Sequence, residues 1–156
     1  MTMGRASSGR RVVVSYDSSP ASSAALERAV DAAGDDGIVF VVHAYPRPRG
    51  WFGAPHDQDR LDSVLADAES KLQALCGETG GPLDRVAWEP ELIAGDPAEA
   101  IAAVAAARHA DEIVVGSRRF GLARALLGSV AQDLIRTARV PVTVIPRGVA
   151  PRADAA

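Results

Sequence analysis

The residues best suited to chemistry lie in one glycine- and arginine-rich segment, 116–129, between an apolar run and a predicted helix. The first N–H groups of a helix lack intrahelical partners and, with the helix dipole, favour a bound anion. Glycine lets the backbone approach phosphate oxygens closely, while serine hydroxyls add donors and arginines add positive charge. The segment therefore predicts a phosphate site. Its candidate residues are Gly116, Ser117, Arg118, Arg119, Arg124, Gly128 and Ser129.

Two standard phosphate-binding motifs do not fit this segment. Gly116 and Gly121 have the spacing of a Walker A loop, but Leu122-Ala123 stands where that motif needs Lys-Ser/Thr. The sequence also has no GxGxxG. A P-loop nucleoside triphosphatase (NTPase) and a dinucleotide-binding fold of the usual kind are therefore not supported.

Apolar runs alternate with amphipathic stretches along the chain, which indicates an order of βαβαβαβαβ. The predicted strands are 12–14, 38–42, 86–93, 113–115 and 140–145. Continuous runs such as Val12-Val13-Val14 are typical of strands buried on both faces, and the alternation predicts a doubly wound parallel sheet. Pro90 cannot donate to a ladder, so the third strand is predicted at a sheet edge. One domain is expected over 11–147, between flexible tails at 1–10 and 148–156.

Helix starts are marked by capping residues. Ser19 precedes Pro20 and Asp96 precedes Pro97, which predicts an N-cap followed by proline in the first turn. The sequence Ser129-Val130-Ala131-Gln132 resembles a capping box and predicts Ser129 as an N-cap. That role is compatible with an anion site, because a capping hydroxyl lies where the anion would bind.

Ligands of open α/β sheets bind beyond the carboxyl ends of the strands. Those ends are predicted at Ser15-Tyr16-Asp17, His43-Ala44-Tyr45, Ala94-Gly95-Asp96 and after Val115. For some of these residues a structural role competes with a functional one. Asp17 could cap the first helix or its loop, and His43 is more typical of a hydrogen-bonded structural histidine than of a catalyst.

Composition excludes several classes of function. The 156 residues carry a net charge of −3, which does not indicate nucleic-acid binding or an anionic membrane surface. No apolar run approaches the roughly 18 residues of a membrane span, and the N-terminus does not resemble a secretory signal. The expected location is cytoplasmic. The single cysteine excludes intrachain disulfides and thiolate zinc clusters, and Lys71 is the only lysine.

Over residues 11–147 the sequence resembles the universal stress proteins. The resemblance rests on these segments together: Val12–Asp17, Val42–Ala44, Gly95–Ile101, Val115–Arg118, Leu127–Val130 and Val140–Ile145. It implies a five-stranded parallel sheet of order 3-2-1-4-5. It also implies an adenine nucleotide, since many members bind ATP, with Mg²⁺ as its counter-ion.

The resemblance also assigns roles to individual residues. Gly116 and the pair Gly128-Ser129 match the glycine pattern that holds the phosphates, and Val130 follows as in nucleotide-binding members. Asp17, at the strand end that begins with Ser15, resembles the acidic residue that contacts adenine or ribose. Ala44 resembles the position that packs on adenine.

The sequence departs from the family pattern at two points. Arg119 stands where the second glycine would fall, and the loop to Gly128 is one residue shorter than usual. Either the side chain at 119 obstructs the phosphate path, or Arg119 itself holds phosphate.

Three functional hypotheses follow. The first is an ATP-binding stress-response regulator without strong catalysis, for which slow ATP hydrolysis or autophosphorylation stays open. The second is a nucleotide-free, dimeric interaction module of the same fold. The third, a small adenine-nucleotide enzyme, is disfavoured because Ser15–Ser19 lacks the Ser-Gly-Gly-x-Asp-Ser loop of that superfamily.

The last strand predicts self-association. Val140–Ile145 is β-branched and uncharged, and the family order places it at a sheet edge. The resemblance implies that members dimerise through this strand. A homodimer centred on Val142 and Val144 is expected.

Overall fold

A computed structural model of the chain describes residues 9–46, 55–117 and 127–146. Residues 1–8 and 147–156, which make up most of the two predicted tails, lie outside these ranges. The same holds for residues 118–126, and therefore for the predicted phosphate contacts Arg118, Arg119 and Arg124.

Five parallel strands form one sheet in the order β3-β2-β1-β4-β5, which confirms the expected topology. The strands are β1 Arg11–Ser15, β2 Ile38–Tyr45, β3 Ala87–Ala94, β4 Glu112–Gly116 and β5 Val142–Ile145. The helices are α1 Pro20–Ala33, α2 Pro55–Gly77, α3 Pro97–Ala107 and α4 Ser129–Thr137, and a short 3-10 helix spans Pro82–Arg85. Within the described residues, none of the helices has the length and apolarity needed to span a bilayer.

Helices cover both faces of the sheet. Successive residues of β1 alternate between two apolar clusters: Val12 and Val14 pack with α1 and α2, whereas Val13 packs with α3 and α4. All three valines are fully buried. This is the burial on both faces that the continuous apolar run predicts, and it makes β1 the centre of the molecule.

Two of the three predicted N-caps are confirmed. Ser19 Oγ accepts from Ser22 N at 3.2 Å, and Asp96 Oδ1 accepts from the N–H groups of Ala98 and Glu99. The prediction for α4 is wrong by one residue, because Gly128 is the N-cap and Ser129 is the first helical residue.

The physical reason lies in Gln132, the glutamine of the predicted capping box. Its backbone N–H bonds the carbonyl of Gly128 at 3.0 Å, which makes residue 128 the start of the helical ladder. Its side-chain Nε2 donates to the carbonyl of Leu127 at 2.7 Å. The Ser129 hydroxyl therefore does not cap the helix.

Some boundaries also differ from the predicted ones. β2 runs to Tyr45 and not only to Val42, because it pairs with β3 along its whole length. α2 begins at Pro55, ahead of the apolar period from which the helix is predicted, and proline is favoured in a first turn. β5 begins at Val142, because its register with β4 starts at the pair Ile113↔Val142.

Unequal strand lengths create a step at the carboxyl end of the sheet. β1 pairs with β2 only as far as Ser15↔Val42, whereas β2 and β3 remain paired to Tyr45↔Ala94. His43, Ala44 and Tyr45 therefore extend beyond the last paired residue of β1. Space is left above the end of β1, with the extension of β2 along one side.

The opposite, amino-terminal end of the sheet holds a buried carboxylate, Glu112, at the start of β4. Glu112 Oε2 accepts from the Arg10 guanidinium at 2.8 Å, and Oε1 accepts from Thr143 Oγ1 at 2.5 Å. Arg28 of α1 lies 3.9 Å from Oε1. The carboxylate thus links the segment before β1, α1 and the edge strand β5.

Candidate functional site

A cavity of about 480 Å³ lies at the carboxyl end of the sheet, above β1 and beside the extension of β2. It brings together seven of the residues that the sequence analysis selected. They are Ser15, Asp17, Ala44, Gly116, Gly128, Ser129 and Val130. The cavity is therefore where the parallel-sheet argument places a ligand.

Of the residues selected for the phosphate site, Ser117 is the one that is described and is not among the lining residues. Arg118, Arg119 and Arg124 lie outside the described residues. The backbone N–H of Ser117 donates to the carbonyl of Ile145 at 2.8 Å, which continues the β4–β5 ladder. Ser117 thus has a structural role at this point of the sheet.

The β1–α1 turn fixes the position of Asp17. Asp17 Oδ1 accepts from the N–H of Ser19 at 2.9 Å, and the Asp17 N–H donates to Ser22 Oγ at 3.3 Å. Between them Ser18 adopts φ = 66°, in the left-handed region that is uncommon for residues other than glycine. The structural role considered for Asp17 is present, and the same residue lines the cavity.

His43 is a hydrogen-bonded residue of the cavity wall. It is 7% exposed, and its Nδ1 lies 2.7 Å from the carbonyl oxygen of Tyr16. Because a carbonyl oxygen can only accept, Nδ1 carries the hydrogen of this bond. The bond ties the extension of β2 to the residue that follows β1, which confirms the structural interpretation of His43.

Gly116 has a packing role that the sequence analysis missed. A Cβ at this position would lie 2.5 Å from both the carbonyl carbon and the oxygen of Ala21, in the first turn of α1. The end of β4 therefore approaches the α1 backbone more closely than any side chain permits. The contact is between segments far apart in sequence, so no local pattern could have indicated it.

The N-terminus of α4 forms another part of the wall. Gly128, Ser129 and Val130 all line the cavity. In an α-helix the first N–H groups have no intrahelical acceptor, so this end offers donors and a partial positive charge. The wall is therefore suited to an anionic group.

Helix α2 supplies a wall that the sequence analysis did not predict. Val64, Asp67 and Lys71 line the cavity from this helix. Lys71 Nζ donates to Asp67 Oδ2 at 2.7 Å, an i,i+4 ion pair. The spacing of these residues on one helical face is visible in the sequence, but that the face reaches the cavity depends on tertiary packing.

Taken together, the cavity suits a small molecule with an apolar, flat part and an anionic part. Tyr45, Pro46, Val64 and Val115 offer apolar surface, and the α4 N-terminus and several hydroxyls offer donors. In the described ranges no three His, Cys, Asp or Glu residues form a group that could hold a metal ion.

Comparison with known proteins agrees with this architecture. The model of the universal stress protein family matches residues 9–146. A universal stress protein of Thermus aquaticus is 32% identical over 138 residues, which cover 87% of this chain and 98% of the relative.

Two solved structures add information on ligands of such proteins. A universal stress protein in complex with cAMP is 25% identical, with a TM-score of 0.54, and the match covers 89% of this chain and 98% of the other. A universal stress protein family protein from Arabidopsis thaliana with AMP bound has a TM-score of 0.64 at 22% identity, over 90% and 93% of the two chains.

Proposed function

Because this chain belongs to the universal stress protein family, we propose that it binds an adenine nucleotide and acts as a stress-response regulator. The observation that supports the proposal most is the convergence of Asp17, Ala44 and the α4 N-terminus on one cavity. The chains with AMP and cAMP bound show that related proteins take adenine nucleotides. ATP, with Mg²⁺ as its counter-ion, is the ligand proposed here, and the cytoplasm is the proposed location.

The proposed pose follows the chemistry of the walls. The base packs on Ala44 beside the extension of β2, where Tyr45, Pro46 and Val64 also line the cavity. The ribose lies near Asp17, whose carboxylate accepts from hydroxyls. The phosphates lie at the N-terminus of α4, where backbone donors and the helix dipole favour negative charge.

The proposed role is regulation by binding and includes no catalytic step. His43 is the imidazole of the wall, and its Nδ1 hydrogen is held on the carbonyl of Tyr16. A ligand that binds only the folded state stabilises it, and at a concentration of 100 Kd the gain is about 2.7 kcal/mol. The stability of the folded domain would thus rise as the concentration of nucleotide rises.

Thermal unfolding with and without ATP, AMP and cAMP tests the proposal. We expect nucleotide to raise the unfolding midpoint of the natural chain and to have no such effect on Gly128→Leu, which puts a bulky residue in the cavity lining at the N-terminus of α4. Gly77→Leu is the matched control, since a Cβ at Gly77 has no atom within 4 Å and the residue lies outside the cavity. An unchanged midpoint at millimolar nucleotide would favour the nucleotide-free module.

A second experiment tests whether Arg119 helps or hinders the binding of ATP. If its side chain obstructs the phosphate path, Arg119→Gly tightens ATP binding. If Arg119 holds a phosphate, the same substitution weakens binding by about 1–3 kcal/mol, as expected for a charge-assisted hydrogen bond. Titration calorimetry on the two proteins gives the sign, and equal affinities would contradict both alternatives.

A specific difference between the two edge strands supports dimerisation as well. β3 carries Pro90 between Glu89 and Glu91, and both glutamates pair with Arg108. β5, by contrast, reads Val-Thr-Val-Ile and is half-buried with no charge. Charge and proline protect an edge from pairing with another chain, so β5 is the edge suited to association.

We therefore propose a twofold homodimer through β5, which would satisfy both edges with the same patch on each subunit. The carbonyls of Pro141 and Ile145 accept from Ile113 of β4 and from Ser117, which follows β4. Strand alternation therefore directs the N–H groups of Val142 and Val144 away from the sheet. Val144→Pro removes one of these outward donors, and it should convert a dimer into a monomer in light scattering.

A second variant tests the same interface in case Val144→Pro does not fold. Lysines at positions 142 and 144 together should also give monomer, or insoluble protein if the α3/α4 core is disturbed, because both valines pack partly against it. Ala87→Lys, at the exposed start of β3, is the control and should leave the mass unchanged. A natural chain that is monomeric at micromolar concentration would overturn the dimer.

A further inference from the structure

The only lysine of the chain, Lys71, lies in the wall of the nucleotide cavity. The other 16 of the 17 lysine and arginine residues are arginines. Among the described residues that line the cavity, Lys71 is the only lysine or arginine. In the sequence Lys71 lies outside segment 116–129, from which the phosphate site is predicted.

The geometry of α2 directs this side chain toward the helix N-terminus, at the edge of the sheet where the cavity lies. α2 connects parallel strands, so its N-terminal end lies at the carboxyl edge of the sheet, where the cavity is. Side chains of an α-helix lean toward the helix N-terminus. Lys71 thus extends over the preceding turns, and its Nζ lies 2.7 Å from Asp67, with Val64 one turn further.

The ammonium retains capacity for a ligand. It has three N–H donors, and in the described part of the structure one is directed to Asp67. The side chain is 35% exposed and its partner 67% exposed, so the pair is neither buried nor fully in solvent. Asp67 holds the ammonium at the wall and leaves its other hydrogens available.

The strand order places Lys71 on one particular side of the cavity. α2 packs against β2 and β3, whereas α4 packs against β5 on the other side of the central strands. Lys71 therefore shares the side of Ala44 and Tyr45 and lies across the cavity from the α4 N-terminus. In the proposed pose that is the side of the base.

We propose that Lys71 donates a hydrogen bond to the base of the bound adenine nucleotide, with Asp67 as the residue that positions the ammonium. The ring nitrogens of adenine are acceptors, and N7 is among them. The inference rests on the proposed nucleotide function. It adds a ligand contact from α2, whereas the contacts proposed above come from the strand ends and from the segment that holds the phosphates.

A single lysine makes this contact measurable without mutation. In the full-length chain an amine-acetylating reagent modifies Lys71 and the N-terminal α-amino group, and peptide mass spectrometry separates the two. We expect AMP to slow acetylation of Lys71 several-fold and to leave that of the α-amino group unchanged. Inorganic pyrophosphate, which has no base, should bind without protecting Lys71.

Substitutions measure the energy of the contact. We expect Lys71→Met, which keeps the length of the side chain, to weaken AMP binding about tenfold, as for loss of a hydrogen bond from a charged donor. Asp67→Asn should weaken AMP binding less, and Lys71→Arg should retain part of the affinity. Arg85→Met is the matched control, since it breaks the surface ion pair Arg85–Asp31 outside the cavity.

The outcomes separate this inference from the function on which it rests. If the natural chain binds AMP while Lys71 is unprotected and Lys71→Met binds as tightly, the contact is wrong and nucleotide binding stands. If pyrophosphate protects Lys71 as well as AMP does, the assignment to the base is wrong. If the natural chain binds no nucleotide at all, both the function and the contact are overturned.

Discussion

The two ends of the sheet use polar side chains in opposite ways. At the amino-terminal end, the buried carboxylate of Glu112 has both oxygens occupied by side chains of this protein, Arg10 and Thr143. At the carboxyl end, Ser129 and Lys71 line a cavity of about 480 Å³. A polar group whose partners all belong to the chain stabilises the fold, whereas polar groups that face a cavity are available to a ligand. Polar residues near a strand end do not by themselves indicate a site.

The largest effect is expected at Gly116, because the packing there leaves no room for a side chain. Gly116→Ala would place a Cβ 2.5 Å from the α1 backbone, which must then move. We expect the free energy of unfolding to fall by about 3 kcal/mol, the upper range for overpacking. Urea unfolding measures it, and Gly77→Ala is the control with no nearby atoms. If both variants lose the same unfolding free energy, the backbone around Gly116 can move to accept a side chain.

Glu112 tests whether the two ends are independent. Glu112→Ala removes the acceptor for Thr143 and Arg10 and leaves a small cavity, so stability should fall by about 2 kcal/mol. The affinity for nucleotide should be unchanged, because the residue lies at the far end of the sheet. Unfolding and calorimetry on the same preparation compare the two quantities. A large loss of affinity would contradict the separation of roles.

His43 refines the comparison between the two ends of the sheet. It lines the cavity at the carboxyl end, but like Glu112 it is hydrogen-bonded to another residue of the protein. His43→Leu leaves the Tyr16 carbonyl without its donor, and we expect a loss of about 1.5 kcal/mol. Nucleotide should still raise the thermal midpoint of this variant. Should the variant keep full stability yet lose its response to nucleotide, His43 would belong with the ligand contacts.

The smallest effect is expected at Ser18, whose φ of 66° is unfavourable for a residue with a Cβ. Ser18→Gly should raise stability by up to about 1 kcal/mol, partly offset by the greater freedom of glycine in the unfolded chain. Ser23→Gly, on the exposed face of α1, should lower it by about the same amount. Two shifts of the same sign in differential scanning calorimetry would argue against strain at Ser18.

Local patterns predicted the fold well wherever one short segment carries the information. Val12-Val13-Val14 indicated a strand buried on both faces, and Ser19 and Asp96 indicated helix starts, because both signals depend on neighbours in sequence. The order of the strands came from the family resemblance, since alternation alone does not fix it. Ser129 failed as an N-cap because the backbone N–H of Gln132 bonds the carbonyl of Gly128, so the helix begins one residue earlier than the capping-box pattern indicates.

The candidate site was predictable where it consists of strand ends and not where it depends on packing between distant segments. Asp17 and Ala44 could be selected because parallel strands end together at one edge. Lys71 could not, since its place in the wall depends on how α2 lies against β2. Gly116 was selected for phosphate binding and lines the cavity, and the structure adds a packing role that phosphate chemistry did not indicate: the close approach to Ala21.

The extension of β2 beyond β1 has a consequence for how pockets of this kind can change. Three residues at about 3.3 Å each give a wall roughly 10 Å high, so the depth of the cavity is encoded as a difference in length between neighbouring strands. Adding a residue pair to the ends of β2 and β3 would deepen it while the floor at Ser15 stayed unchanged. In such a scaffold the size of the accepted ligand could be adjusted by strand length, independently of the chemistry that binds it.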